Sequence, residues 1–338
     1  MARIILGLDV GGANLKAATT ARECASVPFP LWQEPHNLPR ALGELAAKFP
    51  DAEELAVTMT GELCDCFATK RDGVNAILNA VLNVSRSRPI RVWGTDGIFR
   101  NSEEARREHR VVAAANWHAL ATWCGDFIPE GPGLLVDVGS TTTDIIPICN
   151  GLPVSRGKTD TERMAHGELL YTGVRRTPVC AILGTMVAAE LFATTADGYL
   201  LLDALPEDAS RTDTADGRPF TRDYAHARMA RMLCADADDV SHAATLDMAT
   251  LMESRQLVVL IDGIKRAEQH AWKFKSEKPG QRTYAVVAGS GEFLARKAVA
   301  QARIHSDDVR LLSEELGPAL SACAPAYAVA VLAKERPA

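Results

Sequence analysis

The chain has 338 residues and a formal net charge of −6 at neutral pH. This acidic balance argues against broad nucleic-acid binding, which needs a basic surface. No apolar run approaches the ~20 residues that span a bilayer, and the chain starts with a strand-like run rather than a secretory signal. We therefore expect a cytoplasmic protein without nucleic-acid or membrane partners, long enough for two domains.

The first half of the chain alternates strand-like and helix-like patterns. Short apolar runs predict strands, and apolar residues recurring every three to four positions predict helices. The predicted strands cover 3–9, 15–19 and 53–59, and the predicted helices lie near 37–49, 72–84 and 110–124. Glycines and prolines at 125–133 mark the best domain boundary.

The second half begins with predicted strands at 133–138 and 143–149, and Asn150-Gly151 is a strong hairpin signal. Further along the chain, the patterns predict a loop at 203–222, helices at 221–234, 244–276, 291–302 and 317–333, and a strand at 283–288. We predict an N-terminal lobe, 1–128, and a C-terminal lobe, 129–338, with an inserted helical and loop region at about 156–280. The first connections are too short for helical crossovers, so mixed sheets are expected.

Three glycine-rich motifs each follow a predicted strand: 9–16 (DVGGANLK), 137–144 (DVGSTTTD) and 288–292 (AGSGE). Glycines let backbone N–H groups approach phosphate oxygens, and the helix start after the third motif adds the favourable end of a helix dipole. The sequence therefore predicts a phosphate-binding cleft between two related half-domains. Its predicted ligands are Gly11, Gly12, Asn14, Lys16, Gly139, Ser140, Thr141, Thr142, Thr143, Gly289, Ser290 and Gly291.

Three aspartates accompany the first two glycine motifs, Asp9 and Asp137 just before the glycines and Asp144 just after them. Mg²⁺ is commonly held by one or two carboxylates and otherwise through water. We therefore predict Asp9, Asp137 and Asp144 as catalytic and metal-binding residues, with Mg²⁺ as the expected ion.

These motifs resemble the phosphate loops of the actin, sugar-kinase and heat-shock-chaperone superfamily. Ala13 departs from the pattern, because many kinases of that superfamily carry Thr or Ser there. Within the superfamily, the chain resembles the hydantoinase and oxoprolinase-like group, and more closely a branch of methanofuran-biosynthesis synthases linked to tetrahydromethanopterin-dependent one-carbon metabolism. The strings that carry this resemblance are 58–63 (TMTGEL), 66–71 (CFATKR), 114–117 (AANW), 166–178 (HGELLYTGVRRTP), 213–219 (DTADGRP) and 288–293 (AGSGEF).

The resemblance implies an α/β fold of two actin-like, ribonuclease H-like lobes with mixed sheets and a ligand cleft between them. It also implies a transferase that joins a furanylmethyl diphosphate to the phenol of a γ-glutamyltyramine-type acceptor and releases pyrophosphate. The implied partners are these two small molecules, a diphosphate and a phenolic amine. ATP or another nucleotide is not required, and homo-oligomer formation is left open.

The implied reaction needs positive charge near the departing pyrophosphate. Guanidinium groups pair bidentately with phosphate oxygens, so we expect Arg71, Arg175 and Arg176 to clamp the diphosphate. Neighbouring side chains of a strand point to opposite faces, so only one of the adjacent pair is expected in the cleft.

The acceptor phenol has an ordinary pKa of about 10, so a nearby base would assist its reaction. His166, in the longest matching string, is the expected catalytic base. Glu168 in the same string and Glu62 in the 58–63 string are further candidates.

Two other functions fit the same cleft. The first is an ATP-dependent small-molecule kinase or hydantoinase-like amidohydrolase, which would turn over ATP when its substrate is present. The second is a non-enzymatic protein that binds nucleotide and assembles as actin does.

Overall fold

The computed structural model describes residues 3–274 and 281–336 and contains two six-stranded sheets. The strands of the first sheet are β1 (Ile5–Val10), β2 (Asn14–Thr19), β3 (Cys24–Pro28), β4 (Glu54–Met59), β5 (Ile90–Trp93) and β6 (Phe99–Arg100). Those of the second sheet are β7 (Pro132–Val138), β8 (Thr143–Cys149), β9 (Leu152–Pro153), β10 (Leu169–Leu170), β11 (Tyr284–Ala288) and β12 (Val309–Leu311). The orders are β3-β2-β1-β4-β5-β6 and β10-β8-β7-β11-β12, with β9 paired to β8.

The two sheets repeat one arrangement at their centres. In the first sheet β1 pairs antiparallel with β2 and parallel with β4, and in the second β7 pairs antiparallel with β8 and parallel with β11. Asp9 lies opposite Lys16 in the first hairpin, and Asp137 lies opposite Asp144 in the second. The predicted α/β fold of two related lobes with mixed sheets is confirmed.

Fourteen α-helices are described. The first lobe contains α1 (Leu38–Ala46), α2 (Lys70–Val84), α3 (Ser102–Arg107), α4 (His109–Val112) and α5 (Asn116–Cys124). The rest are α6 (Asp160–His166), α7 (Val179–Leu183), α8 (Thr195–Leu201), α9 (Arg222–Arg231), α10 (His242–Ala271), α11 (Glu292–Gln301), α12 (Leu312–Leu316), α13 (Pro318–Ser321) and α14 (Ala324–Glu335). Across the described ranges, none is both long and apolar enough to cross a bilayer.

Most predicted elements are present within a few residues of their expected bounds. The 150–151 hairpin is confirmed, because Asn150 and Gly151 both have positive φ and join β8 to β9. The continuous helix predicted at 110–124 is wrong, because Ala114 has a φ of 46° and separates α4 from α5. The helix predicted at 317–333 is instead divided into α13 and α14. Residues 275–280 lie outside the described residues. They include the last two residues of the predicted 244–276 helix and the end of the predicted insert.

A central apolar layer containing α5 and α14 lies between the two sheets. Side chains alternate along a strand, so Ile5 of β1 faces this layer whereas Leu6 and Leu8 face the outer core of the first lobe. On the same face as Ile5, Gly7 lies directly beneath α14. The C-terminal helix therefore packs on the first sheet, although the predicted division at 128/129, which stays a prediction, assigns it to the second lobe.

Gly7→Ala should destabilise the packing of α14 on β1. A Cβ at this position would lie 1.8 Å from the backbone carbonyl oxygen of Ala326, so the helix would have to move. We expect a loss of about 3 kcal/mol in the free energy of unfolding, measured by denaturant titration. Gly43→Ala is the matched control, because its new Cβ would meet Val84 at 3.6 Å inside α1. That change should be neutral or stabilising by up to about 1 kcal/mol. Equal effects of the two changes would contradict the packing argument.

Candidate active site between the lobes

Two similar turns end the first strand of each central hairpin. In the first, the Gly11 N–H donates to the Asn14 carbonyl at 3.1 Å, and in the second the Gly139 N–H donates to the Thr142 carbonyl at 2.8 Å. Within the described parts of the chain, the N–H groups of 12–13 and of 140–142 donate to no protein acceptor. Each turn therefore presents backbone donors that are available to an anion.

Three glycines at these turns are required by close contacts. A Cβ on Gly12 would lie 2.7 Å from the Cys64 sulfur, and a Cβ on Gly289 would lie 2.3 Å from a carboxylate oxygen of Asp137. Gly289 also has a φ of 93°, which L side chains rarely adopt. A Cβ on Gly173 would lie 2.6 Å from the Gly139 carbonyl oxygen. The third motif and the segment at 172–177 therefore pack directly against the second turn.

Asp9 and Asp137 occupy matching positions at the ends of β1 and β7. Asp9 is only 5% exposed, and among the described residues nothing donates a hydrogen bond to its Oδ1. Burial raises the pKa of Asp9 to about 6, against the opposing effect of Lys16. Burial, and then the neighbouring charge of Asp144, raise the pKa of Asp137 to about 7, again opposed by Lys16. Lys16 is therefore within electrostatic reach of both carboxylates.

Asp144 is part of an ion-pair chain that links the lobes. Burial raises its pKa, while the adjacent Arg163 guanidinium, which donates to its Oδ1, acts in the opposite direction. Arg163 also lies 3.7 Å from Asp160, and Asp160 pairs with Lys70 of the first lobe at 3.2 Å. The guanidinium of Arg163 stacks on the Trp117 ring at 4.2 Å. Arg163 was not predicted from the sequence, because no motif distinguishes it from other arginines of amphipathic helices.

The donor set at Asp9 and Asp137 fits a divalent cation. An unpartnered, buried carboxylate oxygen on Asp9 is an available ligand. Over residues 3–274 and 281–336, no group of three or more His, Cys, Asp or Glu side chains is arranged to hold a metal directly. A Mg²⁺ ion here would therefore be held by one or two carboxylates and water, as this ion commonly is. The assignment of Asp9, Asp137 and Asp144 to Mg²⁺ stays a prediction.

The two adjacent arginines lie on an irregular segment rather than on a strand. The backbone N–H groups of Arg175 and Arg176 both donate to the Ser140 carbonyl at 3.0 Å, which fixes the segment on the second turn. Arg175 is half-buried near the Phe220 ring, and its Nη1 has no hydrogen-bond partner among the described residues. Arg176 is exposed and stacks on Trp32 of the first lobe at 4.8 Å. Arg176 is therefore the one that reaches across the cleft.

Three other predicted site residues, Arg71, Thr143 and His166, lie outside the two turns. Arg71 is exposed near the start of α2, where its charge adds to burial in lowering the pKa of His109. Thr143 is buried, and its hydroxyl donates to the Thr172 carbonyl at 2.7 Å. His166 is the half-buried last residue of α6.

Glu168 is buried, and its side chain supports the backbone. One carboxylate oxygen accepts the Arg156 N–H at 2.7 Å, and the other accepts the Gly157 N–H at 3.1 Å. A carboxylate with both oxygens satisfied in this way orders the connection before α6.

This chain belongs to the hydantoinase/oxoprolinase family, whose sequence pattern (Hydantoinase_A) matches residues 53–336. A relative from Methanocaldococcus jannaschii is 32% identical over 98% of both chains and is named (4-{4-[2-(γ-L-glutamylamino)ethyl]phenoxymethyl}furan-2-yl)methanamine synthase. A relative from Methanococcus vannielii with the same name is 32% identical over 60% of this chain and 90% of its own. The resemblance to methanofuran-biosynthesis synthases within the hydantoinase-like group is confirmed.

Solved structures support the actin-like fold. Nucleotide-free acetone carboxylase superposes with a TM-score of 0.52 at 11% identity, covering 98% of this chain and 70% of its own. The PilM–PilN type IV pilus biogenesis complex gives a TM-score of 0.50 at 12% identity, covering 98% of this chain and 99% of its own. At such low identity, these similarities define the fold alone.

Asp137→Asn should stabilise the protein at pH 8 but much less at pH 4.5. The folded protein holds the Asp137 proton up to about pH 7, whereas an ordinary aspartate releases it near 3.8. Ionisation therefore costs stability as the pH rises, by on the order of 4 kcal/mol in total for about three pKa units at about 1.4 kcal/mol per unit, and most of this cost arises between pH 4.5 and pH 8. Thermal unfolding at both pH values measures the gain.

The matched control is Asp96→Asn, for which the expected change in stability at pH 8 has the opposite sign. Burial tends to raise the pKa of Asp96, but hydrogen bonds from Arg100 at 2.6 and 2.9 Å make the net effect a lowered pKa. Asp96→Asn should therefore destabilise the protein at pH 8, and the loss should shrink at low pH. A pH-independent effect of Asp137→Asn would contradict its raised pKa.

Proposed function

We propose that the chain is a transferase that condenses an aminomethylfuran-methyl diphosphate with the phenol of a γ-glutamyltyramine-type acceptor. The product would be an aryl furanylmethyl ether, and the second product pyrophosphate. The observation that carries this proposal is the pair of facing turns with unused backbone N–H donors, beside Lys16. Such a site suits a polyanion with two phosphates.

The names of the curated relatives support the choice of substrates. Their common name describes a furan that carries an aminomethyl group and a phenoxymethyl group, and the phenoxy ring carries a 2-(γ-glutamylamino)ethyl chain. The bond that divides this molecule into two simpler parts is the ether between the phenol oxygen and the furanylmethyl carbon. A diphosphate on that carbon is a leaving group that the proposed cleft can bind.

In the proposed step, the phenol oxygen forms a bond to the furanylmethyl carbon as the bond from that carbon to the diphosphate oxygen breaks. The electron pair of the broken bond leaves with pyrophosphate, and the phenolic proton passes to a base. The backbone N–H groups of the two turns, with Lys16 and Arg176, would stabilise the charge that develops on the leaving group. Mg²⁺ held by Asp9 or Asp137 would supply further positive charge when bound.

The decisive experiment incubates the purified protein with Mg²⁺, the aminomethylfuran-methyl diphosphate and γ-glutamyltyramine. Pyrophosphate should appear only when both substrates are present, together with one equivalent of the ether detected by mass spectrometry. A parallel incubation with ATP in place of the diphosphate should release neither phosphate nor pyrophosphate. ATP turnover without ether formation would favour the kinase or amidohydrolase alternative and would reject the transferase.

Lys16→Met should lower kcat by about 100-fold in this assay, because it removes a cation that faces the leaving group. Lys48→Met is the control: it removes an exposed lysine from the end of α1, outside the cleft. Its kcat should match that of the unmodified protein. A loss of less than threefold for Lys16→Met would show that Lys16 does not act on the diphosphate.

A further inference from the structure

Glu62 is a buried carboxylate beside the first phosphate turn. It belongs to a short 3-10 turn, Gly61–Leu63, that follows β4. The preceding Gly61 packs on the first turn, because a Cβ there would lie 3.2 Å from the Val10 carbonyl oxygen and 3.3 Å from the Gly11 carbonyl carbon. Glu62 therefore lies next to the site proposed for the diphosphate.

Neither carboxylate oxygen of Glu62 has a hydrogen-bond partner at ordinary geometry among the described residues, although the side chain is 99% buried. An unpaired buried polar group destabilises the folded protein, and a charged one does so more strongly. Glu168 is equally buried, yet both of its oxygens accept backbone N–H groups. Glu62 therefore does not support the backbone in the way that explains the burial of Glu168.

Elements of both lobes surround Glu62. Gly73 of α2 packs on its backbone, with a would-be Cβ 2.3 Å from its carbonyl oxygen. The charged or titratable groups that face it are Lys70 of α2, Asp160 of α6 and the Cys64 thiol. Burial raises the pKa of Glu62 to about 7, while its own backbone N–H, Lys70 and the Ala114 N–H act in the opposite direction.

Ala114 is itself an unusual residue. Its φ of 46° places a non-glycine residue in the left-handed region, and this conformation turns the chain between α4 and α5 beside Glu62. Such strain persists when the surrounding structure enforces it, and it concentrates at functional sites. The strained backbone and the unpaired carboxylate both indicate that a ligand binds between the Gly61–Leu63 turn, α2 and α6, in a pocket that is closed in this conformation, since Glu62 is only 1% exposed.

We propose that this pocket receives the phenol of the acceptor and that Glu62 is the general base that takes its proton. This inference rests on the proposed transferase function. The ionised carboxylate accepts the phenolic proton as the phenol oxygen bonds to the furanylmethyl carbon and pyrophosphate departs. The phenol O–H would also give the carboxylate the hydrogen-bond partner that it lacks.

Access to the pocket requires the lobes to separate locally. Lys70 of the first lobe and Asp160 of the second form an ion pair at 3.2 Å beside Glu62, and both side chains are partly exposed. Partly exposed ion pairs of this kind contribute little to stability. The acceptor can therefore displace this contact at small cost.

The test combines Glu62→Gln with acceptors whose ring fluorination lowers the phenol pKa. With the unsubstituted phenol, of pKa about 10, the variant should lose about 100- to 1,000-fold in kcat/KM, a loss typical of removing a general base. With a polyfluorinated phenol that is already ionised at the assay pH, the loss should fall below tenfold.

Stability measurements separate catalysis from folding. Glu62→Gln removes an unpaired carboxylate, so its unfolding temperature at pH 8 should be unchanged or higher. Glu168→Gln, the matched buried control, should unfold at a lower temperature, and its kcat/KM should depend on the phenol pKa no more steeply than that of the unmodified protein. An equal loss for all phenols in Glu62→Gln would overturn the assignment. If the unmodified protein forms no ether with any acceptor, the proposed function fails instead.

Discussion

The burial of two carboxylates, Asp9 and Asp137, in the layer between the sheets is the constraint on which the site depends. Desolvation favours their neutral forms and raises both pKa values, and Lys16 opposes this effect at each of them. The charge of Asp9 adds to the raised pKa of Asp137. The apolar central layer formed by α5 and α14 stabilises the fold and also removes water from these strand ends. Without a ligand, the ionised forms of these two buried carboxylates are unfavourable. A cation or ligand donor that binds the carboxylates would offset this cost, and the free energy regained would add to its binding.

The two half-domains share backbone geometry but differ in charge at one matching position. Lys16 lies opposite Asp9 in the first hairpin, whereas Asp144 lies opposite Asp137 in the second. The first lobe therefore supplies a cation to the cleft. The second supplies an additional anion, which Arg163 of α6 neutralises. Because of this asymmetry, a bound phosphate would have the Lys16 cation on the side of the first lobe and carboxylate groups on the side of the second.

The sequence predicted the parts of this site that are determined locally. Apolar runs that end in Asp-Val-Gly predict a strand and a tight turn, and both turns are closed by the equivalent hydrogen bond. The break at Ala114 and the packing of α14 on the first sheet were not predictable in this way. Both depend on contacts between residues far apart in sequence, and local periodicity does not report them. Arg175 and Arg176 illustrate the same limit, because their different directions follow from two bonds to the Ser140 carbonyl rather than from strand alternation.

The acidic residues show why function cannot be assigned from residue type and motif alone. Glu62 and Glu168 both lie in strings on which the predicted resemblance to the synthases rests, and both are buried. Glu168 accepts two backbone N–H groups whose positions are set by the turn before α6, so its charge is stabilised. Around Glu62, no group of the described residues donates to either oxygen at ordinary hydrogen-bond geometry. The difference lies in the surrounding donors, which only the folded chain defines. A carboxylate that is buried without partners costs stability, and a ligand that supplies the missing donor would offset that cost.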